Sequence, residues 1–453
     1  MRIAFIGGGS LRVLPIVRAL LKQGGILQNG AVALIDRDTK RSDAVATMIR
    51  RCPEFDGSGC EVRSFTDMQE GLTGVDSLYV TMATTREPSW TESIKLSAKF
   101  GIWTSDQLST EGCLAAVRCG DAILHFARVM EKVAAPNATM LIFANPVAVF
   151  SALVNKYTKI KAFGICQGFR NHKYDIPAIC GKQGYDDSVD AVSAGVNHYA
   201  FMNGGSWKGK DVFAALDSAL KKYGRNFRKK LEDKYPGILG LSYGTMLDDY
   251  DRNGTFMISS EADGVVNLEF KSHFDFVVYA NRKRKVDPEM SAAGANKRYE
   301  HFYSLLDCDS PEIWEKDPLC TIDDHDLSND IYAALCGKKT FRIFASALNN
   351  GAVKDFPDDY VLEYSMDISR KGVKPVKNLF VPQPHFALVM QFAMCQTMLA
   401  DTIAEHSPKK LAAVLNYWPQ TLCHVNCKEY NQTMLDIHAD LPDYAKAARE
   451  FIR

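Results

Sequence analysis

The stretch Arg2-Ile3-Ala4-Phe5-Ile6-Gly7-Gly8-Gly9-Ser10 decides the fold of the N-terminal half of the chain. A short apolar run comes first, three glycines follow, and the next segment, Leu11–Gln23, has helical spacing. Glycines let the backbone turn tightly and approach a pyrophosphate, and the amides at a helix N-terminus favour negative charge. The stretch therefore predicts a strand, a phosphate-binding turn and a helix in succession.

Further apolar runs follow at intervals that leave room for crossover helices. The predicted strands are Arg2–Ile6, Ala31–Ile35, Cys60–Phe65, Val75–Ala83, Ala138–Ala144 and Lys161–Ile165, and the predicted helices are Leu11–Gln23, Asp38–Cys52, Pro88–Phe100, Gly112–Val133 and Pro146–Tyr157. Strands that alternate with helices form mostly parallel sheets covered on both faces. We expect an α/β, doubly wound sheet of the Rossmann type, with ligands at the carboxyl ends of its strands.

The pattern changes after about residue 185 and becomes a mixture of helices and strands. We predict strands at Val189–Ser193, Phe341–Leu348 and Tyr360–Met366, helical segments at Asp211–Tyr235, Phe386–His406 and Pro408–Tyr417, and irregular structure at Gly237–Asn267 and Asp309–Asp330. The chain should thus have two domains. Residues 1–185 would form an NAD-binding Rossmann domain, and residues 186–453 a mixed α+β domain for substrate binding and oligomerisation.

Composition narrows the class of protein. The chain has 453 residues, 46% of them hydrophobic, and Lys+Arg and Asp+Glu both number 54. A net charge of zero gives no long-range field for nucleic acid or an anionic membrane, so neither partner is expected. The apolar run Ile3–Ile6 is too short for a signal or a membrane span, so we expect a cytoplasmic protein. The twelve cysteines should then be thiols.

The glycine cluster predicts a nucleotide site because of its context. Asp36 closes the second predicted strand, where a ribose 2′-hydroxyl acceptor belongs, and this acid favours NAD over NADP. Two features weaken the pattern: Arg12 stands where the full fingerprint has a third glycine, and a plain structural turn also uses glycine. The predicted cofactor-binding residues are Gly7, Gly9, Ser10, Asp36, Arg37 and Thr81.

Polar residues follow several other predicted strands. Arg86 follows the fourth and could clamp an anionic or hydroxyl group, or pair with Glu87 or Asp106. Asn145 follows the fifth and could hold a sugar hydroxyl, or only cap a helix. Cys166 follows the sixth, and His198 lies in Gly195-Val196-Asn197-His198. A thiolate and an imidazole can share a divalent metal, although a buried hydrophobe and a loop histidine are the simpler reading.

The segment around Tyr243 carries a candidate general base. A tyrosine near a cationic metal can have a lowered pKa, and Asp249 and Tyr250 follow closely. An aromatic loop that packs on the core is the alternative. Two further clusters contain metal-binding residue types. The acidic run Asp323–Asp326 is more typical of a solvated loop. The run Cys423–Cys427 resembles half of a zinc site, but no second pair of ligands with suitable spacing exists.

Taken in order along the chain, these motifs resemble glycoside hydrolase family 4, the NAD- and metal-dependent glycosidases. The resemblance rests on Gly7–Ser10, Asp36, Arg86, Asn145-Pro146, Gly164-Ile165-Cys166, Gly195–His198, Ala347–Val353 and Phe356–Glu363. It implies that Cys166 and His198 bind a divalent metal, usually Mn²⁺. It also implies that Asn145, Asn197, Arg86 and Gln167 bind substrate, with Tyr243 or Asp249 as catalytic base and Tyr250 as an alternative.

The resemblance implies a mechanism of redox-assisted elimination. NAD⁺ removes hydride from the sugar C3, the base removes the C2 proton, the C1 substituent leaves, water adds, and the hydride returns. Gln167 departs from the acidic residue or histidine that many α-specific members have after the metal-binding cysteine. An amide cannot donate a proton, so we expect a β-linked or otherwise activated glycoside as the small-molecule substrate.

Two other functions fit the same residues. An NAD-dependent sugar or 2-hydroxy-acid dehydrogenase would share the N-terminal fold and need no metal, and an NAD-sensing protein would bind nucleotide without turnover. Fold analogy does not fix the substrate. The expected assembly is a homodimer or homotetramer.

Overall fold

The structure is a computed structural model, which describes residues 1–102, 104–231, 242–258, 288–322, 326–422 and 426–453. Within these residues one sheet of thirteen strands runs through the molecule in the order β10-β8-β7-β12-β11-β6-β5-β4-β1-β2-β3, with β13 beside β12 and β9 beside β8. The strands are β1 (Arg2–Ile6), β2 (Ala31–Ile35), β3 (Glu61–Phe65), β4 (Ser77–Val80), β5 (Thr139–Ile142), β6 (Lys161–Ile165), β7 (Val189–Val196), β8 (Tyr199–Trp207), β9 (Lys210–Asp211), β10 (Met257–Ile258), β11 (Phe341–Leu348), β12 (Val361–Ser369) and β13 (Gly372–Pro375).

The first six strands are parallel and follow the predicted order β3-β2-β1-β4-β5-β6. Most of these strands are largely apolar because helices cover both faces of a parallel sheet and bury the side chains on each face. Ile3, Ala4 and Phe5 of β1 are all fully buried. The doubly wound α/β fold that the sequence predicts is therefore confirmed, with all six carboxyl ends at one edge of the sheet.

The second half of the chain extends the same sheet with antiparallel strands. β11 pairs antiparallel with β6, and β12, β7 and β8 continue outward from it. The predicted boundary at residue 185 falls between the helix His172–Ile179 and β7. Because the sheet crosses this point through β6 and β11, the two-domain division stays a prediction.

Helices cover the sheet, and those predicted in the first half are all present. The α-helices are Val13–Lys22, Thr39–Arg51, Met68–Leu72, Ser89–Lys99, Thr110–Val133, Val147–Tyr157, His172–Ile179, Val212–Tyr223, Phe227–Leu231, Tyr243–Asn253, Pro288–Leu305, Ile313–Lys316, Leu327–Leu335, Gln383–Glu405, Pro408–Tyr417, Pro419–Leu422, Cys427–Ile437 and Asp443–Ala447, with 3₁₀ turns at Pro53–Phe55, Gln167–Arg170, Gly224–Asn226 and Ala448–Phe451. The predicted helical segment Asp211–Tyr235 is broken by one of these turns, and its last four residues lie outside the described residues.

The prediction of irregular structure at Gly237–Asn267 is wrong where the structure describes this segment. Tyr243–Asn253 is an α-helix, whose N-cap Ser242 accepts a hydrogen bond from the amide of Thr245. Gly254, at φ 65°, ends the helix in the left-handed conformation. The sequence did not indicate this helix because most of its residues are polar. Its few buried residues are buried by contacts with other parts of the fold.

The acidic segment Asp309–Asp330 was also predicted to be irregular, and this is wrong in part. It contains the short helix Ile313–Lys316 and the start of the helix Leu327–Leu335. Asp326 caps that second helix by accepting a hydrogen bond from the amide of Ser328. The other acidic and histidine residues of the Asp323–Asp326 cluster, and the first three residues of the Cys423–Cys427 cluster, lie outside the described residues.

The longest apolar helix belongs to the core. Gln383–Glu405 is long and apolar enough by length and composition to span a membrane, but 56% of its apolar 18-residue window is buried inside the protein. It packs on Thr110–Val133 and Val147–Tyr157. All eleven cysteines in the described part of the chain are free thiols, as the composition predicts.

Candidate active site

The glycine loop joins β1 to the helix Val13–Lys22 at the carboxyl edge of the sheet. Gly7 has φ +83°, and a Cβ there would lie 3.1 Å from the backbone of Thr81, so only glycine fits. The amide of Gly9 donates to Asp36 Oδ2 over 2.8 Å, and the amide of Asp38 donates to Oδ1 over 3.0 Å. The carboxylate at the end of β2 is thus fixed beside the loop, with lone pairs left for further donors.

The remaining predicted cofactor residues surround this loop. Thr81 extends the pairing of β4 with β1 by donating its amide to Ile6, Ser10 donates its amide to Gly7, and Arg37 is exposed at the rim. Arg12, in place of the third glycine, lies over the ring of Phe143 at 3.9 Å and pairs with Asp326 at 2.6 Å. No side chain caps the helix that follows, and the amide of its first residue, Val13, donates to the carbonyl of Ser10 over 3.0 Å.

Cys166 and His198 lie side by side, although they are far apart in the sequence. Cys166 Sγ and His198 Nε2 are 3.6 Å apart, and the amide of Gly168 donates to the same sulfur over 3.4 Å. Cys166 follows β6, and His198 lies in the two-residue turn that joins β7 to β8. Antiparallel strands beyond β6 carry this turn back to the carboxyl edge, and no local spacing in the sequence could have indicated that.

The turn that carries His198 is tightly held. His198 has φ 67°, a left-handed conformation that is uncommon for a residue with a side chain and is frequent at functional sites. Its neighbour Asn197 is fully buried and donates Nδ2 to Glu363 Oε2 over 2.7 Å. Asn197 Oδ1 has no hydrogen-bond partner among the described residues, so it is open to a hydroxyl of a ligand.

These two side chains supply only part of a metal coordination shell. Among the described residues, no group of three or more His, Cys, Asp and Glu side chains converges on one point. A soft thiolate with an imidazole is a donor set for a transition metal, and the open positions would fall to water or substrate oxygens. The pair therefore resembles a catalytic site more than a closed structural one.

Asn145, after β5, forms a polar cluster next to this pair. Its Nδ2 donates to Asp106 Oδ2 over 2.9 Å, and its Oδ1 accepts a hydrogen bond from Nε2 of the buried Gln107. Gln107 Oε1 has no hydrogen-bond partner within the described ranges. An unsatisfied amide oxygen at the carboxyl edge suits a sugar hydroxyl, and sequence reasoning did not single out Gln107.

Gln167 lies between the pair of Cys166 and His198 and the glycine loop. Its Oε1 accepts a hydrogen bond from the amide of Leu327 over 3.4 Å, at the first turn of the helix Leu327–Leu335. The N-cap of that helix, Asp326, is the residue that pairs with Arg12 beside the glycine loop. One helix terminus thus contacts both parts of the site.

Arg86 does not pair with Glu87 or Asp106, as the sequence had suggested, but with Asp440 at 3.2 Å. Asp440 is shared with the buried Arg118, at 3.0 Å. The carboxylate comes from the C-terminal segment, more than three hundred residues away in sequence, so no local motif could have named it. Arg86 itself is half exposed and still faces solvent at the rim.

Behind Arg118 lies a fully buried histidine and carboxylate pair. Arg118 donates to Nδ1 of His438 over 2.6 Å, and His438 Nε2 lies 2.8 Å from Glu111 Oε2. A guanidinium only donates, so Nδ1 must accept and a ring proton lies on Nε2, whose hydrogen-bond partner is Ser93 Oγ at 2.9 Å. Arg118 also donates to the carbonyl of Thr84 over 2.8 Å, which fixes the loop after β4.

Tyr243 begins the helix Tyr243–Asn253 and is buried against Asp175 of the helix His172–Ile179. Burial and the Asp175 carboxyl raise the pKa of Tyr243, and burial raises the pKa of Asp175 well above its usual range. This direction is opposite to the lowered pKa that a general base needs. A nearby cation would have to reverse it.

Asp249 and Tyr250 are poorly placed to act as the base. Asp249 is 1% exposed, and its two oxygens accept hydrogen bonds from Asn253 at 2.7 Å and from Thr255 at 2.5 Å. Tyr250 stacks on Phe213 on the outer side of its helix. The expectation that Asp249 is catalytic stays a prediction, and its two hydrogen bonds also give it a structural role in the turn that follows its helix.

Comparison with known proteins gives matches over nearly the whole chain. Residues 2–180 match the model of the family 4 glycosyl hydrolases, and residues 193–421 match the model of the family 4 glycosyl hydrolase C-terminal domain. An alpha-galactosidase of Rhizobium meliloti (strain 1021) is 23% identical over 419 residues, which cover 88% of this chain and 79% of the relative.

Solved structures share the fold. A 6-phospho-beta glucosidase from Thermotoga maritima, solved with manganese, NAD⁺ and glucose-6-phosphate, superposes with a TM-score of 0.75 at 17% identity and covers 97% of this chain and 99% of its own. The lactate dehydrogenase MGS-M5, from a Medee basin deep-sea metagenome library, superposes with a TM-score of 0.51 at 13% identity, covering 89% of this chain and 98% of its own. This second superposition concerns the fold alone, and it agrees with the expectation that 2-hydroxy-acid dehydrogenases share the N-terminal fold.

Proposed function

The chain belongs to glycoside hydrolase family 4, and from that premise we propose that it cleaves a glycosidic bond with the help of NAD⁺ and a divalent metal ion, most simply Mn²⁺. The observation that carries the proposal is the 3.6 Å separation of Cys166 Sγ and His198 Nε2 at the same sheet edge as the glycine loop. The 6-phospho-beta glucosidase from Thermotoga maritima was solved with these same two cofactors. A simple dehydrogenase would have no use for the thiol and imidazole pair.

The residues fit an NAD cofactor. The Asp36 carboxylate suits ribose hydroxyls, and the uncapped amides of the helix Val13–Lys22 suit a pyrophosphate. The glycine loop itself contains Gly7, Gly9 and Ser10, and beside it lie Arg37 and Thr81. When bound, the nicotinamide and the metal would supply reversible hydride transfer and Lewis acidity to the sugar.

The chain's own polar groups would hold the sugar. Asn145, Asn197 and Gln107 bring amide groups to the carboxyl edge, and two of their oxygens have no hydrogen-bond partner among the described residues. Arg86, paired with Asp440 at the rim, is placed for an outer hydroxyl or anionic group. We keep Tyr243 as the candidate for removing the C2 proton, a role that requires the charge of a bound cation to lower its pKa.

The leaving group should depart without help from an acid next to Cys166. Gln167 occupies that position, and its amide has no titratable proton to give. We therefore propose a β-linked glycoside or one with an activated leaving group. With aryl glycosides of rising phenol pKa, kcat/KM should fall steeply in the wild type. Gln167→Glu should flatten this dependence, and equal slopes in both proteins would contradict the assignment.

A screen of aryl glycosides tests the function itself. Both anomers, with and without a 6-phosphate, would be supplied with NAD⁺, Mn²⁺ and a thiol reductant. We expect hydrolysis of at least one glycoside that stops when a chelator removes the metal. Oxidation of a free sugar or hydroxy acid that persists with the chelator would favour the dehydrogenase instead.

The remaining expectations concern the whole protein. We propose an NAD-binding domain over residues 1–185 and a substrate and oligomerisation domain over residues 186–453. We also propose a homodimer or homotetramer that works in the cytoplasm on a small glycoside.

A further inference from the structure

The ribose-binding acid lies among three positive charges. Arg37 is the next residue, and Lys40 and Arg41 belong to the first turn of the helix Thr39–Arg51. A Cβ built on Gly9 would lie 2.6 Å from Arg41 Cβ and 3.1 Å from Asp36 Oδ2, so Arg41 starts close to the carboxylate. An arginine there is within reach of a phosphate on the ribose 2′-oxygen, and arginine binds phosphate well. The Asp36 carboxylate alone does not explain how the protein would avoid binding a 2′-phosphate at these cations.

Two tyrosines from the second half of the chain cover two of these cations. On the helix Pro288–Leu305, the ring of Tyr299 lies 4.1 Å from the Arg41 guanidinium carbon, and the ring of Tyr303 lies 4.7 Å from Lys40 Nζ. Both distances are within the range of a cation–π interaction. Arg41 also pairs with Asp38 at 3.1 Å, but that pair is nearly half exposed and should be weak.

The position of the tyrosines is fixed from two sides. The Tyr299 hydroxyl donates to the carbonyl of Gly9 over 3.1 Å, which ties the helix directly to the nucleotide loop. At the other end, Arg51 donates to the carbonyls of Leu305 and Cys308, where the helix ends. The rings therefore cannot drift away from the cations without breaking these contacts.

We propose that Tyr299, with Tyr303 beside it, is a determinant of cofactor specificity that occupies Arg41 and Lys40 and so prevents them from binding a 2′-phosphate. The enzyme then prefers NAD over NADP for two reasons: Asp36 repels the extra phosphate, and the tyrosines withhold the cations that would attract it. This inference rests on the proposed use of NAD, but it concerns nucleotide binding and not glycoside cleavage.

Calorimetric titration with NAD⁺ and NADP⁺ tests the proposal without any sugar substrate. Tyr299→Leu keeps apolar volume but removes the π face, and it should lower the Kd for NADP⁺ about tenfold while that for NAD⁺ stays within about threefold. Adding Arg41→Ala should cancel the gain, because the freed guanidinium is its source. Tyr299→Phe keeps the ring but loses the hydroxyl bond to Gly9, so its Kd for NADP⁺ should lie between those of the wild type and Tyr299→Leu. Tyr174→Ala, a change at an exposed tyrosine on another helix, is the matched control.

Three results would overturn the proposal. The Kd for NADP⁺ could be the same in Tyr299→Leu and wild type, the gain could persist after Arg41→Ala, or Tyr299→Phe could lose discrimination as fully as Tyr299→Leu. A wild-type protein that binds neither nucleotide would remove the proposed function as well. Binding of NAD⁺ with an unchanged NADP⁺ affinity in the variants would remove only this inference.

Discussion

At the scale of single residues, the two candidate metal ligands illustrate what a sequence can reveal. Cys166 could be singled out because it follows a predicted strand, and His198 because of its motif, but their contact at 3.6 Å depends on the hairpin of β7 and β8 returning to the sheet edge. Asp440 and Asp175 could not be found at all. Each contacts its partner, Arg86 or Tyr243, across the fold, and no periodicity records such a contact.

The residue-scale prediction concerns the thiol. Cys166→Ser replaces a soft thiolate ligand by a hydroxyl, which is a much weaker donor for a transition metal. We expect the affinity for Mn²⁺ to fall by about a hundredfold or more, judged against the 10–100-fold losses seen when only an outer partner of a ligand is removed. Calorimetric titration of the metal measures it.

A second cysteine supplies the control. Cys180→Ser changes a partly buried thiol that, among the described residues, donates to the carbonyl of Ala215. Its affinity for Mn²⁺ should equal that of the wild type. If Cys166→Ser bound metal as tightly as Cys180→Ser, Cys166 would not be a ligand.

At the scale of elements, the first six strands were predictable because their burial on both faces leaves continuous apolar runs. The helix Tyr243–Asn253 was not, because its composition is polar and only one narrow stripe of it, including Met246 and Leu247, is buried. Short capped helices such as Leu327–Leu335 are likewise fixed by tertiary contacts more than by propensity.

The element-scale prediction concerns the loop after β4 and the C-terminal segment, which Arg118 joins. Arg118→Met keeps the stem but leaves Thr84 and His438 without their donor and leaves Asp440 with Arg86 alone. Breaking a buried pair costs about 3–5 kcal/mol, which is an upper value here because Asp440 is partly exposed. We expect the thermal unfolding temperature to fall by several degrees. Differential scanning calorimetry measures it.

Arg449→Met is the matched control for that experiment. Arg449 pairs with Asp436 at 2.8 Å, but both side chains are about half exposed, and such pairs contribute about 0–1 kcal/mol. An unfolding temperature that falls equally in both variants would show that the buried network contributes nothing special.

At the scale of the whole molecule, stability should depend on the protonation of His172. This ring is fully buried between Phe169 and Phe344, and burial lowers its pKa to about 3. The unfolded chain would bind a proton near pH 6.5, so the folded state loses stability as the pH falls from about 6.5 towards 3, by at most about 1.4 kcal/mol per pH unit. Above that range His172 has no effect.

Urea unfolding of the wild type and of His172→Gln should be compared between about pH 4 and about pH 8, a range that includes the ordinary histidine pKa of about 6.5. The variant cannot titrate at this position, so the difference in unfolding free energy should shift in its favour as the pH falls below about 6.5. A difference that stays constant over the whole range would show that His172 is not held neutral.

The central claim is that glycoside cleavage passes through loss of the sugar C2 proton, and one measurement tests it most directly. Hydrolysis of an active aryl glycoside in deuterium oxide, followed by NMR of the released sugar, reports whether C2 has exchanged its hydrogen with solvent. We expect deuterium at C2 of the product and none at C2 of a sugar incubated without the enzyme. Cleavage that leaves C2 fully protonated would contradict it.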